Sequence, residues 1–391
     1  FYFFTIIYTV SFLLNILAHR FKTSFFIFRI NKIFLLGGSY YFYAFWDARF
    51  LALIIISTLV DFWVGSWIYR TEDKKKQKSF LVLSLVINLG ILAFFKYCNF
   101  FIESANLALS NLNLTISHIN VILPVGISFY TFQSMSYSLD IYLKKLKPVR
   151  DPIDFALYVA FFPQLVAGPI VRATHFLPQM LLQTKLSAEK FFIGLQIFLY
   201  GLFLKVVIAD NVATIIDPIF ENPEIYDSLA VWLAVIGYSV QIFCDFCGYS
   251  EMAIGIAFSL GYVLPANFRT PYLATDLFDF WRRWHISLTS WLRDYLYIPL
   301  GGNKKGLART CINVFITMLL GGLWHGANIT FILWGIFHGI GLMINKIMVF
   351  SLKGRITPNI FFTLCKWAST YLFVCFGWVL FRSENLDSAI L

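Results

Sequence analysis

His325 stands inside an apolar run: Leu319-Leu320-Gly321-Gly322-Leu323-Trp324-His325-Gly326-Ala327-Asn328, then Phe331-Ile332-Leu333. In hydrocarbon an ionisable side chain has no water to bind, so its presence marks a functional site by default. Gly321-Gly322 and Gly326 are expected to break the helix here. Irregular backbone at membrane depth survives only inside protein or beside a watery cavity. A neutral imidazole there can take a proton from an acceptor hydroxyl during acyl transfer, and its ordinary pKa of about 6.5 suits the task. The bland reading is a histidine that packs helices. The flanking glycines, and Trp324 and Asn328 crowding the same turn, weigh against it.

A second cluster lies 40 residues earlier: Phe280-Trp281-Arg282-Arg283-Trp284-His285-Ile286-Ser287, followed by Trp291-Leu292-Arg293-Asp294-Tyr295-Leu296-Tyr297. Two readings stay open. One is an interfacial helix with Trp and Tyr at headgroup level and Arg on anionic lipid. The other is the wall of a cytoplasmic opening for an anionic cosubstrate. His338, thirteen residues after His325, reads first as a helix-packing hydrogen bond among Gly335, Gly339 and Gly341. His19, His118 and His175 fall in polar stretches and are assigned no chemistry.

Asp210, Asp245 and Glu251 also sit in apolar surroundings. Gln241–Glu251 is expected to interrupt a long apolar run and, with Asp245, to line the same cavity. Cys244-x-x-Cys247 is a weak redox or zinc signal with no second pair, so core thiols are the better reading, and no metal is expected. The chain carries no Gly-x-Ser-x-Gly elbow, no His-Glu-x-x-His helix, no P-loop and no dinucleotide fingerprint. Classical hydrolases, zinc proteases, ATP-driven pumps and NAD enzymes are thereby set aside.

The elements that must hold these residues follow from composition. Of 391 residues 59% are hydrophobic and 13% charged, against about a quarter charged in soluble domains. Mean hydropathy is +0.72. Apolar runs near 1–18, 33–46, 50–69, 79–96, 121–142, 153–171, 190–212, 229–264, 311–349 and 360–381 approach the roughly 20 residues a spanning helix needs. They do not alternate as barrel strands would. The chain is therefore an all-α polytopic membrane protein with one integral-membrane domain over 1–391 and its motif-bearing core at about 121–349. Both ends read as cut, so the chain is expected to be a fragment that continues past residue 391. The formal charge of +10 does not point to nucleic acid, because the basic residues cluster in short loops.

Basic loops at 19–32, 70–78, 144–150 and 269–309 read as cytoplasmic, and 98–120 and 213–230, free of Lys and Arg, as external. Parity then fails at 153–171, since Arg172, Lys185 and Lys190 follow it. That run is expected to dip in and return, hinged at Ala167-Gly168-Pro169. The 311–349 run has Arg309 before it and Lys346, Lys353 and Arg355 after it. It is expected to be a hairpin that turns near His325, a discontinuous-helix design known for intramembrane sites.

These motifs resemble the membrane-bound O-acyltransferase family, in particular its bacterial alginate O-acetylation branch. The resemblance is carried by 123–133 (Leu-Pro-Val-Gly-Ile-Ser-Phe-Tyr-Thr-Phe-Gln), 162–170 (Phe-Pro-Gln-Leu-Val-Ala-Gly-Pro-Ile), Cys244-Asp245-Phe246 with Gly248-Tyr249-Ser250, the 280–299 segment, and 322–328. It implies a helical bundle with re-entrant or discontinuous helices around a central tunnel. An acyl-thioester donor, acetyl-CoA, would arrive from the cytoplasm, and the acceptor hydroxyl from the other side. The family's near-invariant histidine falls on His325, and its second conserved polar position on His285. Cys247 stands where relatives often carry Ser.

The expected function is O-acetylation of an exported polysaccharide at the bacterial inner membrane, with no bound cofactor. A periplasmic esterase-like protein is the expected partner. Candidate substrate contacts are Arg282, Arg283, Trp284 and Arg293 on the donor side, with Asp245, Trp324 and Asn328. D-alanyl transfer to teichoic acid from a carrier protein, or transport of a polar solute without chemistry, are the alternatives.

Overall fold

The computed structural model describes residues 2–20, 24–109, 115–117, 119, 121–182, 186–351 and 359–390, apart from the side chains at 19, 24 and 107. His118, Lys185, Lys353 and Arg355 lie outside the described residues, as does the side chain of His19. Among the described residues every regular element is helical. Among the described residues seven helical stretches are long and apolar enough to cross a bilayer: Phe25–Arg70, Lys74–Asn106, Ala188–Glu221, Ser228–Ser259, Gly306–His325, Ile329–Ser351 and Ile360–Arg382. The protein is a multi-pass α-helical membrane protein. The chain divides into two compact units, residues 1–200 with 250–265 and residues 201–249 with 266–391.

In the first unit, α1 (Tyr2–Arg20) packs on α2 (Ser24–Asp47), and α3 (Leu51–Arg70), α4 (Lys74–Leu109) and α5 (Ile127–Tyr142) pack on one another. Asp61 of α3 is fully buried where those three helices meet. It accepts hydrogen bonds from the Ser84 and Ser134 hydroxyls, from Ser138 at 2.6 Å and from the Asn88 amide at 2.8 Å. A buried carboxylate is tolerable only when its oxygens are satisfied in this way, and short serine side chains let the helices come close enough to do it. Lys32 of α2 likewise meets Asp154 at 2.7 Å, both buried.

The segment expected to dip and return is interrupted twice. α6 (Pro152–Ala160) has nine residues, or about 13 Å, which is too short to cross. It stops at Phe161, whose ψ of 108° leaves the helical region, ahead of Pro163 in α7 (Phe162–Leu165). The second break is the turn at 166–168, where the Gly168 N–H donates to the Gln164 carbonyl at 3.2 Å. The expected hinge is thus present but is preceded by another, because a proline cannot continue α6. Gly126, at φ 74°, lies against the Leu165 carbonyl where a Cβ would collide. α8 (Ala173–Leu181) completes this buried layer.

In the second unit, α14 (Gly306–His325) and α15 (Ile329–Ser351) form the expected hairpin, turning at 326–328. Only Gly326 breaks the helix, with extended φ −166° and ψ 159°. Gly321 and Gly322 stay helical, contrary to expectation, because they serve packing instead. A Cβ on Gly322 would strike the Phe331 carbonyl, and one on Gly335 would lie 2.7 Å from the Met318 carbonyl. Small residues at these places allow the two backbones to touch. Each arm, 20 and 23 residues, is long enough to cross by itself.

The 229–264 run is helical as far as Ser259. α11 (Ser228–Ser259) passes through Gln241–Glu251 unbroken, since polar side chains leave the i→i−4 backbone ladder intact. Before it, α9 (Ala188–Leu202) and α10 (Asp210–Glu221) are joined through a π-helical turn at Phe203–Ala209.

Candidate active site

The 269–309 stretch is a compact corner and not an open loop. α12 (Leu277–Arg283) is capped by Asp276, whose side chain accepts from the Asp279 N–H, and it ends at the extended Trp284. His285 follows at φ 43°, ψ 54°, a left-handed conformation uncommon outside glycine, and opens α13 (Ile286–Leu292). Backbone hydrogen bonds Ile286 N–H to Asn267 C=O and Arg269 N–H to Arg283 C=O, both 2.9 Å, hold the corner shut. Strain of this kind persists where the surroundings over-determine it, and it clusters at functional sites.

His285 is 1% exposed. Its Nδ1 lies 3.2 Å from Asn267 Oδ1, which also accepts the Ser287 hydroxyl at 2.9 Å and the Ser287 N–H at 3.2 Å. An oxygen receiving those donors leaves Nδ1 the proton-bearing nitrogen, so the lone pair resides on Nε2. Nε2 has no hydrogen-bond partner among the described residues. Burial pushes the imidazole pKa down to about 3. The ring packs edge-on against Phe246 at 4.6 Å and against Trp324 at 6.0 Å.

His325 is the last residue of α14 and is half-buried. Its ring is surrounded by Trp324 (5.0 Å), Trp334 (5.0 Å), Phe381 of α16 (Ile360–Arg382; 5.1 Å) and Phe331 (6.3 Å). It lines a mostly apolar cavity of about 300 Å³, shared with Trp281, Trp334, Thr317, Arg282 and Arg293. A mainly apolar cavity with a few convergent polar groups is the usual form of a ligand site. Arg282 and Arg293 are well exposed and pair with Asp279 (3.3 Å) and Asp294 (2.7 Å).

The other expected contacts are dispersed. Arg283 is held by Asp279 at 2.9 Å and Thr270 at 3.3 Å. Trp284 is a core residue, stacked on Phe280 at 5.7 Å and near Trp378 at 4.8 Å. Trp281, Trp284 and Trp291 are all buried, so this segment's indoles do not form the headgroup belt of the interfacial reading. Asp245 is engaged by Lys205 at 2.5 Å, and Lys205 also holds Asp210 at 2.6 Å. Asn328 caps α15, accepting from the Thr330 N–H at 3.0 Å and donating to the Glu384 carbonyl at 2.8 Å. Cys244 and Cys247 are buried one turn apart on α11. His175 Nε2 lies 3.1 Å from the Val263 carbonyl.

Asn267 and Trp334 were missed in the sequence. Nothing local marks a buried asparagine in a loop. Trp334 does carry a signal, for it adjoins Gly335 on the arm that folds back along α14.

Comparison with known proteins identifies the family. The membrane-bound O-acyltransferase family model matches residues 1–383. The chain is 44% identical to a probable alginate O-acetylase AlgI of Pseudomonas syringae pv. tomato, over 92% of this chain and 69% of that protein. It is 37% identical to the peptidoglycan O-acetyltransferase of Helicobacter pylori, over 92% and 72%. It is 29% identical to the teichoic acid D-alanyltransferase of Bacillus subtilis, over 68% and 70%. A match over this extent is decisive: the chain belongs to the membrane-bound O-acyltransferase family and is an O-acyltransferase.

Proposed function

We propose that this chain takes acetyl from acetyl-CoA on the cytoplasmic side of the bacterial inner membrane and transfers it toward an exported polysaccharide, with His325 as general base. The observation that carries this reading is the placement of His325 at the wall of an apolar cavity that also holds Arg282 and Arg293. The resemblance to alginate and peptidoglycan O-acetylating proteins supports acetyl and a glycan.

In the proposed step a hydroxyl oxygen attacks the thioester carbonyl carbon while the His325 lone pair takes the hydroxyl proton. The tetrahedral intermediate collapses, the C–S bond breaks, and the thiolate leaves with the proton that the imidazolium returns. Products are an ester and a thiol. The aromatic surround keeps water from competing for the acyl group. Arg282 and Arg293 meet the donor's phosphates. His285 assists from behind Trp324, which it touches, by shaping the donor side. A periplasmic esterase-like partner carries the acetyl group on to the glycan.

The test is transfer from radiolabelled acetyl-CoA by purified protein in vesicles, beside a carrier protein loaded with D-alanine. Label moving only from the second donor would replace acetyl with aminoacyl transfer. No label from either donor would refute the reading.

A further inference from the structure

His338 of α15 is 0% exposed, and neither ring nitrogen has a hydrogen-bond partner among the described residues. The helix-packing hydrogen bond expected from sequence is therefore not what holds it. Four aromatic rings do: Trp334 at 4.8 Å, Trp281 at 5.2 Å, Phe373 at 5.6 Å and Phe337 at 5.7 Å. On another side α16 closes in, since a Cβ on Gly377 would lie 2.7 Å from His338 Nε2. A six-membered ring reaching past Nε2 has no room there, so imidazole is the aromatic side chain that fits.

Filling space does not explain this choice. A buried imidazole without hydrogen bonds is costlier than an aliphatic side chain of similar size. What the flat ring adds is orientation: its edge-to-face contacts, 80° to Trp281 and 81° to Phe373, fix ring planes as an aliphatic group does not. Trp281 and Trp334 are themselves 5.6 Å apart, so His338 and the two indoles close a triangle. Both indoles line the cavity that holds His325, whereas His338 stands behind them. Trp334 also touches the His325 ring.

We infer that His338 is a positioning residue for the acyl-transfer site. It locks the indoles of Trp281 and Trp334 and, through Trp334, the plane of the His325 ring. This rests on the proposed role of His325 as the base.

Two variants test it, His338→Leu and Gly377→Ala, the second leaving every polar group in place and only displacing the imidazole. In full-length folded protein both should lower kcat for acetyl transfer by about tenfold or more, because misplacement of the order of 1 Å is enough for that. Donor KM should stay within about twofold. Independently of activity, the rate at which diethyl pyrocarbonate modifies His325, read by peptide mass, should change by about threefold or more. Wild-type kcat and modification rate in the folded variants would overturn the inference. So would a drop in kcat that merely tracks a drop in folded fraction. If wild-type protein transfers no acetyl, the proposed function fails, and the modification rate alone then decides the role of His338.

Discussion

One indole serves both histidines: the Trp324 ring lies 6.0 Å from the His285 ring and 5.0 Å from the His325 ring. The two imidazoles have different surroundings on either contact. His285 is sealed, with its Nδ1 proton fixed by Asn267, while His325 faces a cavity. The cavity histidine is the one that a substrate can reach.

His325→Ala should therefore lower acetyl transfer by about 10²–10⁴-fold, the usual worth of a general base, with membrane insertion and expression preserved. Labelled transfer in vesicles measures it. Wild-type activity in the inserted variant would remove His325 from the mechanism.

His285 makes a pH prediction. Its folded pKa of about 3 lies below the ordinary value of about 6.5. Above pH 6.5 both folded and unfolded states are neutral and nothing is lost. Between about 6.5 and 3 the unfolded chain takes up a proton that the folded chain refuses. Stability then falls as pH falls, by up to roughly 1.4 kcal/mol per pH unit. Thermal melts in detergent at pH 7.5 and pH 5 should show this loss. His285→Asn, which tolerates the left-handed backbone, should make the loss smaller.

Arg282→Ala combined with Arg293→Ala should raise KM for acetyl-CoA by about tenfold and leave kcat nearly unchanged, as expected for binding that does not sharpen in the transition state. The two guanidiniums are exposed, so added salt should shrink the difference. A wild-type KM at low salt would take them out of donor recognition.

The hairpin that presents His325 depends on close backbone contact. Gly335→Ala puts a Cβ 2.7 Å from the Met318 carbonyl and should destabilise the protein by about 1–3 kcal/mol. A melting temperature equal to wild type would show that the hairpin is looser than the geometry says.

Asp61→Ala tests the other unit. It leaves the buried Ser84 and Ser138 hydroxyls without an acceptor and takes one of two acceptors from Ser134 and Asn88, at about 1–3 kcal/mol for each group left unmet. Detergent stability should drop sharply. Asp61→Asn, which keeps one oxygen acceptor, should drop less.

Apolar run length by itself determined that this is a polytopic helical protein, because a spanning helix must be apolar over about 20 residues whatever surrounds it. Charge parity around 311–349 determined the hairpin, and the isolation of His325 among apolar residues singled it out. Contacts between residues distant in sequence were decided only by the tertiary structure. Asp245 and Asn328 carry polar groups that many partners would satisfy, and only folding assigned Lys205 to the one and the start of α15 to the other. Gly321-Gly322 read as a helix break, yet glycine serves equally where two backbones touch, and that choice belongs to the partner helix. The aromatic setting of His325 comes from α14, α15 and α16 together. No periodicity in one segment encodes the packing of three, because which faces meet depends on how all of them bury their surfaces at once.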